Sequence, residues 1–485
     1  MFSDPARLEA FFTPRRIAVV GASEHGMYPA GVIQNLIQYG FPGDIYPINP
    51  NRETVFGLPC YAGVTSTPAP ADLAILVVNR NLVMPALRQC VQAGIHAALI
   101  FTAGFGEADE KGRELQAELA DLVQTTPLKV VGPNCAGLAN VPGKVIATRL
   151  SVAPHPGRIS LVSQSGALMM ALYGLFADRR LGMDRLLSVG NQVDISLSDG
   201  LRHLAAHPQT SVIAAFVEGL TDGPVFAAGL SEALVAGKPV VLVKSGRSST
   251  GQQVAATHTA AVAGSGRVFE GVCRQFGALL VDDLRELMDT VQLLDCFGER
   301  IGRGRLAVVS TSGGMASLAA DFCEWSGLKL PPVGIRLQER LKGVLHLPEV
   351  GILGNPADVR GPAMRGPATE ATLAPFLADP ETDAVLLLLA RSAVQEHDAE
   401  TAGYILRAVR EFDKPLAVVW AGQRFPARPV EFPLGHRMLV EAGIPLFDQA
   451  SDAVRAIRNA RDYWTFRAEW VAQSSEPSEM EALHG

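Results

Sequence analysis

Short apolar runs alternate with longer amphipathic stretches along most of this chain of 485 residues. The apolar runs are rich in Val, Ile, Leu and Ala, and a turn containing Gly, Ser or Asn follows most of them. A strand, a polar turn and an amphipathic helix in repeated succession are typical of βαβ units, which build parallel sheets. The pattern therefore predicts an α/β protein whose sheets are parallel.

The repeated pattern falls into three modules. Prolines mark the first boundary and the charged stretch GERIGRGR marks the second, which predicts segments 1–142, 156–298 and 303–468, followed by a polar tail, 471–485. The second and third modules both open with a strand, a Ser/Gly turn and a small-residue helix, LVSQSGALMM and VVSTSGGMAS. This similarity indicates a weak internal repeat. The prediction is a Rossmann-like domain followed by two flavodoxin-like domains.

Composition narrows the classes of function. The net charge of −7 and the absence of a basic stripe argue against a nucleic-acid partner. The longest apolar run, Ala384–Ala390, is far shorter than the roughly 20 residues of a membrane span. The six cysteines are scattered without a CxxC pair, which favours reduced thiols over disulfides or a metal site. We therefore expect a cytoplasmic enzyme with no metal ligands of its own.

The turn after the first strand is the first candidate binding site. Gly21, Ala22 and Ser23 lie between that strand and a predicted helix, where free N–H groups favour a phosphate. The spacing is not a clean GxGxxG, so a nucleotide pocket and an ordinary strand-to-helix turn both remain open. Asn49 and Arg52 follow the second strand, where an NAD site needs an acid. Arg52 would favour the 3′-phosphate of CoA, although Glu53 lies close by.

A second candidate site lies at the start of the second module. Ser163, Gln164, Ser165 and Gly166 place hydroxyls and backbone donors at the start of a helix, where a phosphate can bind. A serine N-cap is the simpler interpretation, and the two are compatible. Leu168, Met169 and Met170 follow in the same helix and could enlarge an acyl pocket, although such residues are usually core.

The stretch KSGRSSTGQQVAATHTAAVAGSG is predicted to be a long loop, and it is the most informative part of the second module. It is too poor in large apolar residues to pack a core, and its histidine, His258, could act as a mobile nucleophile for a phosphoryl group. Glu218 ends a strand of the same module and could orient the imidazole, although it could also be a surface acid. Asn191 and Asp194 are predicted on the same face.

Two further histidines have a spacing that could bind a metal ion. His203 and His207 lie four residues apart, but a third ligand is not evident near them in the sequence. The interpretation is that both lie on the surface of a helix.

Eight motifs in order resemble a known family: VGAS, INPN, GPNC, VSQSG, GNQVD, FVEG, KSGR and THTAAVAGS. Together with the later GNPADVRG, they resemble the α subunit of ADP-forming acetate–CoA ligase and, more broadly, the succinyl-CoA synthetase superfamily. The resemblance implies CoA as cofactor, with Gly21–Ser23 and Gly132, Pro133 and Asn134 in its contact loops. It also implies a relay through acyl phosphate to a phosphohistidine, His258, supported by Glu218, with Ser163–Gly166 facing it. The sequence departs from the family's pattern after VGAS, where EHGMYPAG stands.

The resemblance also implies a partner, because the family binds nucleotide in an ATP-grasp fold. All three modules here are predicted βαβ sheets, which leaves no room for that fold. ATP or ADP and Mg²⁺ are therefore expected on a separate ATP-grasp β subunit, in an α2β2 heterotetramer, with a small carboxylic acid as substrate. The alternatives are a non-catalytic CoA-binding regulatory module and an NAD(P)-dependent oxidoreductase. The sequence does not name the acid.

Overall fold

The computed structural model describes residues 8–258, 265–345, 354–390, 397–421 and 433–475. The chain forms two compact units, Met1–Leu287 and Met288–Gly485, and each is described by itself below. The architecture is α/β with mostly parallel strands, as the alternation of apolar runs and amphipathic stretches predicts. No helix within the described residues has the length and apolar character that a membrane crossing requires.

The first sheet lies at the start of the first unit. Its strands and the small ribbon beside it are β1 (Arg16–Val20), β2 (Asp44–Ile48), β3 (Thr54–Val55), β4 (Leu58–Pro59), β5 (Leu73–Leu76), β6 (Ala97–Ile100) and β7 (Lys129–Val131). The helices are α1 (Glu9–Phe12), α2 (Met27–Gln38), α3 (Arg80–Gln92) and α4 (Glu110–Thr125), with a short 3-10 segment at Val64–Ser66. The parallel order is β2-β1-β5-β6-β7, so β7 is an edge strand.

A hairpin joins the two modules of this unit. Its strands, β8 (Gly137–Asn140) and β9 (Val145–Thr148), are antiparallel to each other. They extend the second sheet, not the first. Residue 142, the predicted end of the first module, therefore lies inside a hairpin of the second sheet. A boundary judged from prolines missed it because two short strands without an intervening helix do not repeat the βαβ pattern.

The second sheet completes the first unit. Its remaining strands are β10 (Pro156–Ser163), β11 (Met183–Ser188), β12 (Val212–Val217), β13 (Val240–Lys244) and β14 (Leu279–Val281). The helices are α5 (Gly166–Asp178), α6 (Leu197–Ala206), α7 (Gly223–Val235), α8 (Ser249–His258) and α9 (Gly266–Gln275). Helix α10 (Leu284–Phe297) follows and contains the boundary between the two units. The order is β14-β13-β12-β10-β11-β8-β9, with β10 to β14 parallel and almost entirely buried. Burial of this kind is typical of parallel sheets that helices cover on both faces.

The third sheet belongs to the second unit. Its strands are β15 (Leu306–Ser310), β16 (Ala357–Asp358), β17 (Ala384–Ala390), β18 (Leu416–Ala421) and β19 (Leu446–Phe447). The helices are α11 (Gly313–Trp325), α12 (Ile335–Leu345), α13 (Pro367–Leu377), α14 (Asp398–Arg410), α15 (Leu434–Glu441) and α16 (Ala450–Ser475), with 3-10 segments at Gly298–Ile301 and Gly361–Met364. The parallel order is β16-β15-β17-β18-β19. Helix α16 continues to Ser475, so the first residues of the predicted polar tail are helical.

The second and third sheets share more than the predicted turn motif. In all three sheets the five parallel strands follow the order 2-1-3-4-5, which is the flavodoxin-like arrangement, so the strand order alone does not distinguish the second and third sheets from the first. Lys238 and Lys414 each precede a proline and the fourth strand of their module. The ammonium of Lys238 donates to the carbonyl of Ala205 (2.7 Å), and that of Lys414 donates to the carbonyl of Phe376 (3.2 Å). Both lysines thus stabilise the carboxyl end of a helix, which supports the internal repeat.

Candidate active site

A cavity of about 870 Å³ lies in the first unit, where the carboxyl ends of strands from the first two sheets meet. In parallel sheets, ligands bind beyond these strand ends because the connecting loops and helix starts lie there. The walls come from helix α4, from the turns after β6, β7, β10, β11 and β12, and from the start of α5. The lining residues that matter below are Tyr28, Phe101, Glu107, Gln116, Asn134, Gln164, Ser165, Gly166, Asn191 and Glu218.

The Ser163–Gly166 turn contributes to the cavity unequally. Ser163 is fully buried and its hydroxyl donates to the carbonyl of Ser165 (2.7 Å), so it lies beneath the cavity. The hydroxyl of Ser165 accepts from the amide of Leu168 (3.3 Å) and caps α5, as the simpler sequence interpretation has it. Gly166 passes close to the second-sheet hairpin, because a Cβ atom there would lie 2.7 Å from that of Ala136.

Gln164 has a structural task at the cavity wall. Its side-chain oxygen accepts from the amides of Gly219 (3.0 Å) and Glu218, and its nitrogen donates to the carbonyl of Gly219. These bonds tie the turn after β10 to the turn after β12. The carboxamide therefore shapes the site by holding the backbone of Glu218 in place.

Glu218 directly follows β12, at the strand end that the sequence predicts, and it lines the cavity. Its main-chain carbonyl accepts from the ammonium of Lys244 (2.8 Å), the last residue of β13. Burial lowers the pKa of Lys244, and the nearby negative charge of Glu218 acts in the opposite direction. Sequence reasoning passed over Lys244, although a lysine at the end of a buried strand is an available signal, since buried lysines are rare without a partner.

His258 is the last residue of helix α8, and its side chain lies outside the described part of the structure. Its pairing with Glu218 therefore stays a prediction. The stretch Ser249–His258 is helical, whereas the sequence predicted a loop throughout. The hydroxyl of Ser248 accepts from the amide of Gly251 (3.0 Å) and so caps this helix. The sequence pattern did not predict this helix, because its small polar residues show no apolar periodicity.

The GNQVD turn forms a seam between the two modules. The amide of Asn191 donates to the carbonyl of Pro133 (2.9 Å), and the amide of Val193 donates to that of Gly132 (3.3 Å). The carboxylate of Asp194 accepts from the amide of Val130 (2.9 Å). These bonds cover the edge strand β7 and the turn after it. Asp194 therefore belongs to the seam. The sequence predicted that it shares a face with Asn191, but unlike Asn191 it does not line the cavity.

Side chains reinforce the seam at the cavity. The carboxamide nitrogen of Asn191 donates to Gln116 (3.0 Å) and to the carboxylate of Glu107, and its oxygen accepts from Asn134 (3.3 Å). The carboxylate of Glu107 also accepts from the amides of Gly104 (2.6 Å) and Phe105 (3.3 Å). Burial raises the pKa of Glu107, but hydrogen bonds from Asn191 and from the backbone outweigh it and lower the pKa overall.

The remaining predicted residues form a second cluster along the edge of the first sheet. The amides of Gly21 and Ala22 donate to the carbonyl of Ile48 (3.0 and 3.2 Å), and the side chain of Asn49 donates to the carbonyl of Ala22 (2.9 Å). The amide of Arg52 donates to the carbonyl of Asn49 (3.3 Å). Gly21 has φ of +90°, and a Cβ atom there would lie 2.7 Å from Val78, so only glycine fits.

The structure thus divides the predicted residues into groups. Asn134, Gln164, Ser165, Gly166, Asn191 and Glu218 line the cavity; Gly21–Ser23, Asn49 and Arg52 cluster at the far end of the same sheet edge; Gly132, Pro133 and Ser163 support the walls. Leu168, Met169 and Met170 do not belong to the described lining, and Met169 is fully buried core. The acyl-pocket hypothesis for them receives no support.

The interpretation of both histidines as surface residues is wrong for His203, whereas His207 is partly buried at the carboxyl end of α6. His203 is buried and stacks on Phe12 (5.3 Å between centroids), beside an ion pair between Arg185 and Glu9 (2.8 Å). His207 lies 3.3 Å from the carboxylate of Asp184. The ring of His203 helps to anchor helix α1 to the second module, and the ring of His207 stacks on that of His203 (6.3 Å between centroids). A hydrophilic residue at a helical position was taken as exposed because its buried partners are distant in sequence.

Comparisons with known proteins agree with this arrangement. Residues 15–140 match the family model for a CoA binding domain, and residues 156–294 match that for the succinyl-CoA ligase like flavodoxin domain. The α subunit of ADP-forming acetate–CoA ligase I from Pyrococcus furiosus is 32% identical over 476 residues, which cover 97% of this chain and 99% of the relative. The chain belongs to the family of ADP-forming acetate–CoA ligase α subunits.

Other members of the family differ in length and in name. The 4-hydroxybutyrate–CoA ligase (ADP-forming) of Nitrosopumilus maritimus is 32% identical, and the match covers 92% of this chain but 62% of that relative. The dinucleotide-forming acetyl-coenzyme A synthetase 1 of Ca. Korarchaeum cryptofilum, solved with phosphate and ADP, superposes with a TM-score of 0.86 at 29% identity, covering 97% of this chain and 99% of that one. Within this family, neither the oxidoreductase nor the regulatory alternative is favoured.

Proposed function

We propose that the chain is the CoA-binding and phosphohistidine-carrying subunit of an ADP-forming acyl-CoA ligase. The reaction converts a carboxylic acid, CoA and ATP to acyl-CoA, ADP and phosphate, and it is reversible. The observation that carries the proposal is the cavity itself, where the CoA-binding module meets Glu218 and the start of α5. A phosphoryl carrier needs this meeting of a CoA site with an anion-binding helix start.

CoA would lie along the carboxyl edge of the first sheet. The Gly21–Ser23 turn follows β1, and Asn134 follows β7 at the opposite end of the strand order. Four strand spacings separate β2 from β7, roughly 19 Å at about 4.8 Å each. That span suits an elongated ligand whose phosphates bind near Gly21 and Arg52 while its thiol reaches the cavity. Arg52 would pair with the 3′-phosphate.

His258 would carry the phosphoryl group. In the direction that forms ATP, phosphate displaces CoA from acyl-CoA and leaves acyl phosphate. A ring nitrogen of His258 then takes the phosphoryl group and releases the carboxylate. Attack by ADP on phosphohistidine forms ATP and returns the free imidazole. Glu218 would hold the other ring nitrogen, which fixes the tautomer and favours the charged intermediate.

The nucleotide step would need a partner. We assign ATP or ADP and Mg²⁺ to an ATP-grasp β subunit, in an α2β2 assembly, because relatives of matching length are named as α subunits. Mg²⁺ would neutralise the charge of the nucleotide phosphates. The acid is a small carboxylic acid, and the cytoplasm is the compartment that the scattered, unpaired cysteines favour.

The decisive experiment is phosphoryl labelling. The full chain, its ATP-grasp partner and γ-labelled ATP should give acid-labile, base-stable label on the chain. His258→Ala should lose the label but keep its CoA affinity, whereas the exposed His25→Ala should behave as the wild-type chain does. Label that persists in His258→Ala would show that another residue is the carrier.

A further inference from the structure

Glu107 lies at the junction of the two cavity walls, and the sequence motifs give it no role. It follows β6 in the first module, but it contacts Asn191, 84 positions away in the second module. Its carboxylate accepts three N–H donors, from Gly104, Phe105 and Asn191. A carboxylate that is engaged in this way holds its neighbours in place and has little capacity to bind a ligand.

The hydrogen bonds continue from Glu107 to the cavity in a single chain. Both hydrogens of the Asn191 carboxamide nitrogen are used, one by Glu107 and one by Gln116 (3.0 Å). The carboxamide oxygen of Asn191 is therefore directed away from them, and it accepts from Asn134 (3.3 Å). Reversal of the Asn191 carboxamide would place its oxygen against two acceptor oxygens. Glu107 and Gln116 thus determine which end of Asn191 faces Asn134.

Asn134 is the member of this chain that borders the ligand space. It lines the cavity in a left-handed conformation with φ of +56°, in the turn that follows β7. Its backbone is already held, because its amide donates to the carbonyl of Thr102 (3.0 Å). The orientation of its carboxamide is then the remaining freedom, and Asn191 restricts it.

We propose that Glu107 is a positioning residue of the CoA site, which acts through Asn191 to orient the carboxamide of Asn134 towards the thiol end of CoA. The inference rests on the proposed function, since it assumes that CoA occupies this cavity. In this role the carboxylate of Glu107 holds its three N–H donors and does not exchange a proton with the ligand.

A double-mutant cycle with CoA as the titrated ligand tests the order of action. Calorimetry on the full chain should show that Glu107→Gln weakens CoA binding about tenfold. Gly104 and Phe105 donate to one carboxylate oxygen and Asn191 donates to the other, so the new amide nitrogen presents a donor to the donor of Asn191. Asn191→Ala should weaken it to a similar extent. Adding Glu107→Gln to Asn191→Ala should cost no further affinity, because Asn191, the residue through which Glu107 acts, is already replaced. The control is Glu118→Gln, which alters only an exposed ion pair with Arg88.

A spectroscopic readout separates positioning from a general loss of structure. The NMR signal of the side-chain amide of Asn134 can be assigned by its absence from the spectrum of Asn134→Ala. This signal should shift in Glu107→Gln and stay in place in Glu118→Gln. An unmoved signal, or equal losses of affinity from Glu107→Gln with and without Asn191, would overturn the inference while leaving the CoA site intact. A wild-type chain that does not bind millimolar CoA would instead contradict the proposed function.

Discussion

Replacing Gly190 with Ala should open the seam between the first two modules. Gly190 has φ of +57°, and a Cβ atom there would lie 2.2 Å from the carbonyl oxygen of Pro133. The left-handed backbone costs an alanine about 1 kcal/mol. Relief of the collision moves the turn away and weakens the two hydrogen bonds of Asn191 and Val193 with Pro133 and Gly132, at about 1 kcal/mol each. The expected loss is therefore about 3 kcal/mol at the seam.

Hydrogen exchange measured by mass spectrometry is the suitable assay. The four tryptophans, Trp325, Trp420, Trp464 and Trp470, all lie in the second unit, so their fluorescence does not report on this seam. A loss of about 3 kcal/mol should accelerate exchange at the amides of Asn191, Val193 and Val130 on the order of a hundredfold. Peptides from β12 and β13 should exchange at the wild-type rate.

Gly174 provides the matched control. It lies inside α5, and a Cβ atom there would meet nothing within 4 Å. Gly174→Ala should therefore stabilise the helix by about 0.5–1 kcal/mol and leave exchange at the seam unchanged. If Gly190→Ala leaves exchange at the seam as slow as Gly174→Ala does, the close approach at Pro133 does not hold the modules together.

Three further outcomes follow from the structure. Arg52→Ala should bring the CoA affinity of the chain down to that for 3′-dephospho-CoA, measured by calorimetry; a preference for CoA that survives the substitution would remove Arg52 from the phosphate site. Burial raises the pKa of four thiols to about 12, those of Cys90, Cys135, Cys273 and Cys323. Iodoacetamide at pH 8 should therefore modify the half-buried Cys60 and Cys296 first, as peptide mass spectrometry can show. Early modification of Cys135 would contradict its burial. A hydrogen bond from Arg185 holds the pKa of Glu9 below its usual 4.5, so the contribution of Glu9 to stability is present above that pH and is lost as pH falls through the lowered pKa. Glu9→Gln should therefore lower the melting temperature at pH 7, and in acid the melting temperatures of the variant and the wild-type chain should become equal. A difference in melting temperature that persists in acid would exclude the charge of Glu9 as its cause.

The strands were predictable because burial on both faces leaves a local trace. Ala384–Ala390 and Val212–Val217 are continuous apolar runs, and both are buried strands. Helix α8 had no such trace, because Ser, Thr, Gln and Ala at Ser249–His258 supply no apolar stripe. The β8–β9 hairpin was missed for a related reason, since its pairing with β11 involves residues more than forty positions away along the chain.

The candidate site shows the same division. The local pattern placed Glu218 and the Ser163–Gly166 turn at strand ends, because a turn after an apolar run marks the carboxyl edge of a parallel sheet, and the family resemblance added Asn134. It could not distinguish Ser163 from Ser165, although one is buried under the cavity and the other caps α5 beside it. That difference depends on where the chain turns out of the strand.

The sequence by itself determined the α/β class, the order of the elements and the family, because apolar periodicity and turn motifs are properties of neighbouring residues. Only the tertiary structure decided which strand ends meet, and so which side chains share the cavity. Glu107, Asn134 and Asn191 come together because the GNQVD turn docks on β7, the edge strand of the first sheet. Hydrogen bonds between segments this far apart leave no periodic trace in the chain, since they depend on how two sheets pack and not on the residues beside each partner.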